Sequence, residues 1–150
     1  MTYADFTRDL MEKGQPVERE VLEFIKKHYD ECASIAEGKC VGYDILCPLK
    51  HTKIEVKNQN EAIKFVVIET SVNGKPTGIS TSTSDYWVIK CKNNYHMMNT
   101  AVLKDLIAHR REKKYIIQGQ IVKMKHLDIQ DLIDNSIRIF FERRKDGNSI

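Results

Sequence analysis

The amino-acid sequence predicts a single α/β domain, a mixed central sheet of about four to five strands flanked by helices. Three observations carry that prediction. A stretch of helical period stands near the start, several short β-branched and aromatic runs follow it, and a second helical stretch with its own capping residue precedes further short strands. Elements in the order helix, strands, helix, strands pack as layers around one core. A chain of 150 residues buries roughly 70% of its unfolded surface, enough for a core without disulfides or a structural metal.

From Gln15 to about Ala36 the apolar residues Val17, Val21, Leu22, Ile25, Tyr29 and Cys32 recur at helical spacing, and Pro16 suits a first helical turn. Cys40 to Cys47 runs up to Pro48, and Lys53 to Lys57 alternates polar and apolar residues, so both read as strands, with Leu49 to Thr52 as the hairpin connection. Phe65 to Thr70 reads as a third strand, Asn73-Gly74 as a turn, and Tyr86 to Cys91 as a buried fourth strand of the same sheet. Asn99 or Thr100 caps a second helix extending to about Lys113, with Ala101, Val102, Leu106 and Ile107 on one side. Two short strands follow at Tyr115 to Gln118 and Ile121 to Lys125. Asp128 caps a short helix holding Leu132 and Ile133, and Ile137 to Phe141 is a last strand before a polar tail.

Composition excludes several classes. Lys and Arg number 24 against 21 Asp and Glu, a net charge of +3 that by itself names no partner. No apolar run approaches the roughly 20 residues of a membrane span. Asp5, Arg8 and Asp9 interrupt any signal-peptide core, so the expected location is the cytoplasm. The four cysteines form no Cys-x-x-Cys pair and the five histidines are scattered, which reads as free thiols rather than a zinc site. There is no Gly-x-Ser-x-Gly elbow, and Gly-Lys-Pro-Thr-Gly lacks the spacing of a phosphate-binding Walker loop.

Two places break the pattern expected of a plain core. On the first helix Glu18 shares the side of Val21, Leu22, Ile25 and Tyr29. Two readings are open there: an acid in the first turn complementing the helix dipole, or a carboxylate turned inward for use. In Lys53 to Lys57, period two puts Glu55 and Lys57 side by side, and Asp44 on the preceding strand can come opposite the same face. A solvated cross-strand ion pair is one reading. The other is chemical, since hard carboxylate oxygens hold Mg²⁺ or Mn²⁺ against a phosphate while a nearby ammonium offsets developing negative charge.

Taken together, these pieces resemble a family. Gly14 to Lys26 (GQPVEREVLEFIK) is similar to the opening helix of archaeal Holliday-junction resolvases and related small nucleases. Asp44 followed by Glu55-Val56-Lys57 resembles the core of the PD-(D/E)xK nuclease superfamily, and Val66 to Trp87 is similar to its small phage-type members in Ile68-Glu69, Thr77-Gly78-Ile79 and Thr83-Ser84-Asp85-Tyr86-Trp87. The resemblance covers about Gly14 to Val88; Tyr43 stands where the family name has proline, and the chain from about Lys92 onward carries no motif of it.

The resemblance implies a restriction-endonuclease-like fold for the whole of 1–150, with the motif-bearing core in 14–91, and an Mg²⁺-dependent deoxyribonuclease, with Mn²⁺ able to substitute. Asp44 and Glu55 would be metal ligands, the Val56 carbonyl a third, Glu18 a direct or outer ligand, Lys57 the catalytic lysine and Glu69 a supporting acid. Alternatives are a homodimeric junction resolvase and a catalytically silent nucleic-acid-binding module; RNA offers the same phosphodiester. The runs His109 to Lys114, with Arg110, Arg111, Lys113 and Lys114, and Arg143 to Lys145 are candidate phosphate contacts. Basic residues also suit helix ends and solvated tails. Trp87 and Tyr86 read as core rather than as base-stacking rings.

Overall fold

A computed structural model describes residues 3–36 and 43–141 of the chain, with side chains described from Pro16 onward. In chain order the elements are α1 (Tyr3–His28), β1 (Ser34–Ile35), β2 (Ile45–Cys47), β3 (Thr52–Asn58), β4 (Phe65–Val72), β5 (Lys75–Pro76), a 3-10 turn (Gly78–Ser80), β6 (Tyr86–Cys91), β7 (Asn94–Asn99), α2 (Thr100–Ala108), β8 (Glu112–Ile117), β9 (Gln120–Asp128), α3 (Ile129–Asn135) and β10 (Arg138–Phe141). Among the described residues no helix is long and apolar enough to cross a membrane.

The strands form two sheets. The first is mixed and six-stranded, in the order β1-β2-β3-β6-β7-β10, and the second is four-stranded and antiparallel, in the order β5-β4-β9-β8. Within the first sheet β2 and β3 are antiparallel, with Ile45 opposite Ile54, whereas β3 and β6 are parallel, with Glu55 opposite Trp87 and Lys57 opposite Ile89. A parallel pair needs a long crossover. Residues 59–85 supply it, and they carry β4 and β5 into the second sheet on the way.

The sheet is therefore larger than expected, and Phe65 to Thr70 is not its member. That segment starts β4, whose buried Val66 and Ile68 lie in register with Leu127 and Lys125 of β9. The missing partner in the first sheet is β7, joined to β6 by a two-residue turn in which Lys92 and Asn93 both take left-handed φ, 50° and 65°. Such a turn follows the natural twist of a hairpin. The edges β1 and β5, two residues each, are too short to announce themselves, whereas β10 is the last strand expected at Ile137 to Phe141.

Both long helices have shifted ends. α1 starts at Tyr3 and runs through Pro16, which lies inside it rather than in its first turn. It stops at His28 because the amides of Tyr29 and Asp30 both turn back to the Ile25 carbonyl at 2.8 Å. The α2 cap is as expected, with Asn99 Oδ1 accepting from the amides of Ala101 and Val102, but α2 ends at Ala108. The basic run from Arg110 therefore enters strand β8 instead of closing a helix.

Two apolar clusters fix the layers. Val17, Val21 and Ile25 of α1 pack with Ile45, Ile54, Val56, Val88, Tyr95, Met97 and Phe140 on one face of the first sheet. On its other side Trp87, Ile89, Cys91 and Met98 meet Val66, Ile68 and Leu127 of the second sheet, Leu103 and Ile107 of α2, and Leu132 of α3. Alternation along β3 sends Ile54 and Val56 to the α1 layer and leaves Glu55 and Lys57 for the other face. Cys47 and Cys91 are buried free thiols and Cys32 is an exposed one; Cys40 lies outside the described residues.

Candidate active site

The site is assembled where β2 leaves β3. Asp44 directly precedes β2, and its amide still donates to the Ile54 carbonyl at 2.8 Å. Its side chain then takes over from the strand: Asp44 Oδ2 accepts the Val56 amide at 2.8 Å. The N–H and C=O of one strand residue point to the same edge, so the Val56 carbonyl also turns to the edge where Asp44 sits. On β3 itself Lys57 Nζ lies 3.1 Å from Glu55 Oε1. From α1, the Glu18 carboxyl reaches the same place and hydrogen-bonds Asp44.

The electrostatics match this crowding. Burial, then the charges of Asp44 and Glu55, push the Glu18 carboxyl up to about 7 against the pull of Lys57, so it donates its proton toward Asp44 near neutral pH. Burial also raises Asp44, opposed by the Val56 amide and the Lys57 ammonium. Glu55 is raised by burial as well, with Lys57 opposing. For Lys57 burial works against the charge, but Glu55, then Asp44 and Glu69, more than restore it, leaving the amine above its usual range and fully protonated.

Other residues hold this geometry. Asp85 Oδ2 accepts the Lys53 amide and the Asp85 amide donates to the Lys53 carbonyl, both at 2.8 Å, which locks the start of β6 onto β3. That register sets Trp87 beside Glu55, and Lys57 Nζ lies 5.7 Å from the Trp87 ring centre. The indole N–H donates to Ser82 Oγ at 3.1 Å. Asp30, only 2% exposed, accepts the amides of Cys32, Leu49 and Lys50, tying the end of α1 to the turn between β2 and β3. Sequence reading missed Asp30 and took Asp85 only as part of the Thr83 to Trp87 likeness, because their partners are backbone amides, which no residue pattern displays.

Could these residues hold a divalent cation? Asp44, Glu55 and Glu18 offer hard oxygen donors, and a carboxyl pushed up to about 7 by two neighbouring acids marks a place where negative charge is in excess. Among the described residues no three or more His, Cys, Asp or Glu side chains are grouped so that they could together hold a metal ion. Mg²⁺ does not need such a group, since it is bound by one or two carboxylates and keeps several waters. The groups that could offer oxygens to Mg²⁺ or Mn²⁺ here are the Asp44 and Glu55 carboxylates and the Val56 carbonyl, with Glu18 at the side.

The remaining candidates separate. Glu69 lies on β4 and reaches the group only through its field on Lys57. Arg110 is engaged by Asp128, at 3.5 Å, and by Asp131, joining the end of α2 to α3; Asp128 thus spends its side chain on Arg110 and makes no cap bond. Arg111, Lys113 and Lys114 are exposed, the two lysines on β8. Arg143 to Lys145 lie outside the described residues. Trp87 is buried at 2% exposure and Tyr86 half-buried, as core residues. Comparisons with protein-family models, with curated proteins and with solved structures each return no match to this chain.

Proposed function

We propose that the protein is a divalent-metal-dependent nuclease that hydrolyses DNA phosphodiester bonds, with the first helix and β2-β3-β6 as a restriction-endonuclease-like core. The observation that carries this reading is the meeting of Glu18, Asp44, Glu55 and Lys57, drawn from a helix, a strand edge and a strand centre, in one interacting group. A purely structural ion pair would need one acid for Lys57. Three half-buried acids around one lysine crowd negative charge together, which costs stability unless a cation relieves it.

When bound, Mg²⁺ or Mn²⁺ would supply a Lewis acid to the phosphoryl oxygen and lower the pKa of water. The protein's own groups do the rest. Asp44, fixed by the Val56 amide, presents a carboxylate in a set direction. Glu55 both faces the site and holds Lys57, whose raised pKa keeps it an ammonium able to neutralise charge developing on the phosphate. Glu18, with a carboxyl near 7, can take or release a proton beside Asp44 at physiological pH.

The test is cleavage of linear duplex, single-stranded, flapped and four-way-junction DNA, with an RNA control, in Mg²⁺ or Mn²⁺. Asp44→Ala and Lys57→Ala should abolish metal-dependent cutting while remaining folded. Paired nicks confined to the junction would select a homodimeric resolvase. An inactive wild type, or variants as active as wild type, would overturn the nuclease reading in favour of a silent binding module.

A further inference from the structure

We propose that the outer edge of the second sheet is the docking strip for the nucleic-acid backbone, with Lys114 and Lys123 as a phosphate clamp. This inference rests on the nuclease reading for its substrate and on different residues for its argument. β8 is the edge strand of that sheet and pairs only with β9. Lys113 is exposed on it, Arg111 is exposed just before it, and Lys114 is the register partner of Lys123. Like charges directly opposite each other on a sheet repel, and native sheets avoid them.

Among the described residues no ion pair engages Lys114 or Lys123. Among the described residues the ion pairs are Lys57 with Glu55, Lys90 with Glu20, and Arg110 with Asp128 and Asp131. Glu112, the acid of β8, lies on the same face two residues before Lys114 and accepts from Thr70 Oγ1 at 2.8 Å. Lysine on an edge strand also guards against strand pairing, but Lys123 lies on the interior strand β9, where no such guard is needed. Next along the same hairpin the opposed Ile116 and Ile121 are 74% and 41% exposed, giving the strip an apolar end that bases or sugars can cover. Lys113 is in register with Met124, which in turn faces Glu69, and period two puts that row on the opposite face of the sheet from Lys114 and Lys123. A face on which Lys114, Lys123 and Lys125 outnumber Glu112 is complementary to a polyanion.

The experiment is fluorescence anisotropy of a labelled duplex with the full chain in EDTA, where cleavage cannot intervene, across a range of salt. Lys114→Ala/Lys123→Ala should bind at least about tenfold more weakly at about 100 mM salt, with a log–log salt slope shallower by about two. Removing a like-charge pair leaves the fold intact, which thermal denaturation checks. Lys26→Ala/Lys27→Ala on α1 removes the same net charge and should bind as wild type. Equal loss in both variants, no loss in the first, or no duplex binding by wild type would each overturn the strip, whereas the nuclease reading stands or falls on cleavage with Asp44→Ala.

Discussion

Replacing Glu18 by Gln should make the apo protein more stable at high pH and leave it nearly unchanged at low pH. The Glu18 carboxyl is raised from 4.5 to about 7 in the folded chain. Its contribution is therefore fully present below about 4.5 and is lost as pH rises through about 7, where the folded state must accept a third charge beside Asp44 and Glu55. A shift of that size corresponds to roughly 3 kcal/mol at 1.36 kcal/mol per unit. The side chain keeps contact with water, so screening reduces the expected effect to about 1–2 kcal/mol. Gln keeps a donor for Asp44 and carries no charge. Urea denaturation in EDTA, followed by the fluorescence of the single, buried Trp87, should place Glu18→Gln about 1–2 kcal/mol above wild type near pH 8 and within about 0.5 kcal/mol of it near pH 5. A variant equally destabilised at both pH values would refute the reasoning, because Glu18 would then be a packing residue.

Three further outcomes follow from other parts of the fold. Lys57→Met should lower metal-dependent cleavage by about 10²–10³-fold, the usual loss for a single charge-stabilising donor, without weakening Mn²⁺ binding measured by calorimetry; loss of both would assign Lys57 to structure. Asp30→Ala should cost about 3 kcal/mol in urea, since three backbone amides lose a buried carboxylate, and a change below about 1 kcal/mol would remove the tie between α1 and the β2–β3 turn. His96 is 3% exposed and burial lowers its pKa, so it contributes stability above about 6.5 that disappears as pH falls through its folded pKa. His96→Leu should flatten the acid side of the stability profile, and an unchanged profile would contradict that.

Much of the candidate site was legible because its residues sit on short, strongly patterned segments. Period two on Lys53 to Lys57 fixes the Glu55 and Lys57 side chains on one face whatever sheet they join, and helical period does the same for Glu18. Asp44 was readable through its distance from that strand. Less of the fold was legible. Sheet membership is a long-range property: Val66 and Ile68 look equally apolar whether their partner is β3 or β9, and only tertiary pairing decides. β7, with Asn94, His96 and Asn99 among its residues, hides its strand character behind polar residues that a buried hairpin tolerates. Helix ends failed for local reasons, because the amides of Tyr29 and Asp30 turn back to Ile25 and the Asp30 carboxylate holds the chain that follows through backbone hydrogen bonds. The basic run around Arg110 was legible as charge but not as geometry, since neither Asp128 nor Asp131 declares itself as its partner.

The most direct test of the central claim, that Asp44, Glu55 and Glu18 form a divalent-metal site, is calorimetric titration of Mn²⁺ into the wild-type chain and into Asp44→Asn. Asn keeps an oxygen for the Val56 amide while removing the charge. The account predicts saturable binding by wild type and a loss of at least about tenfold in affinity for the variant; equal binding by the two proteins, or none by wild type, would contradict it.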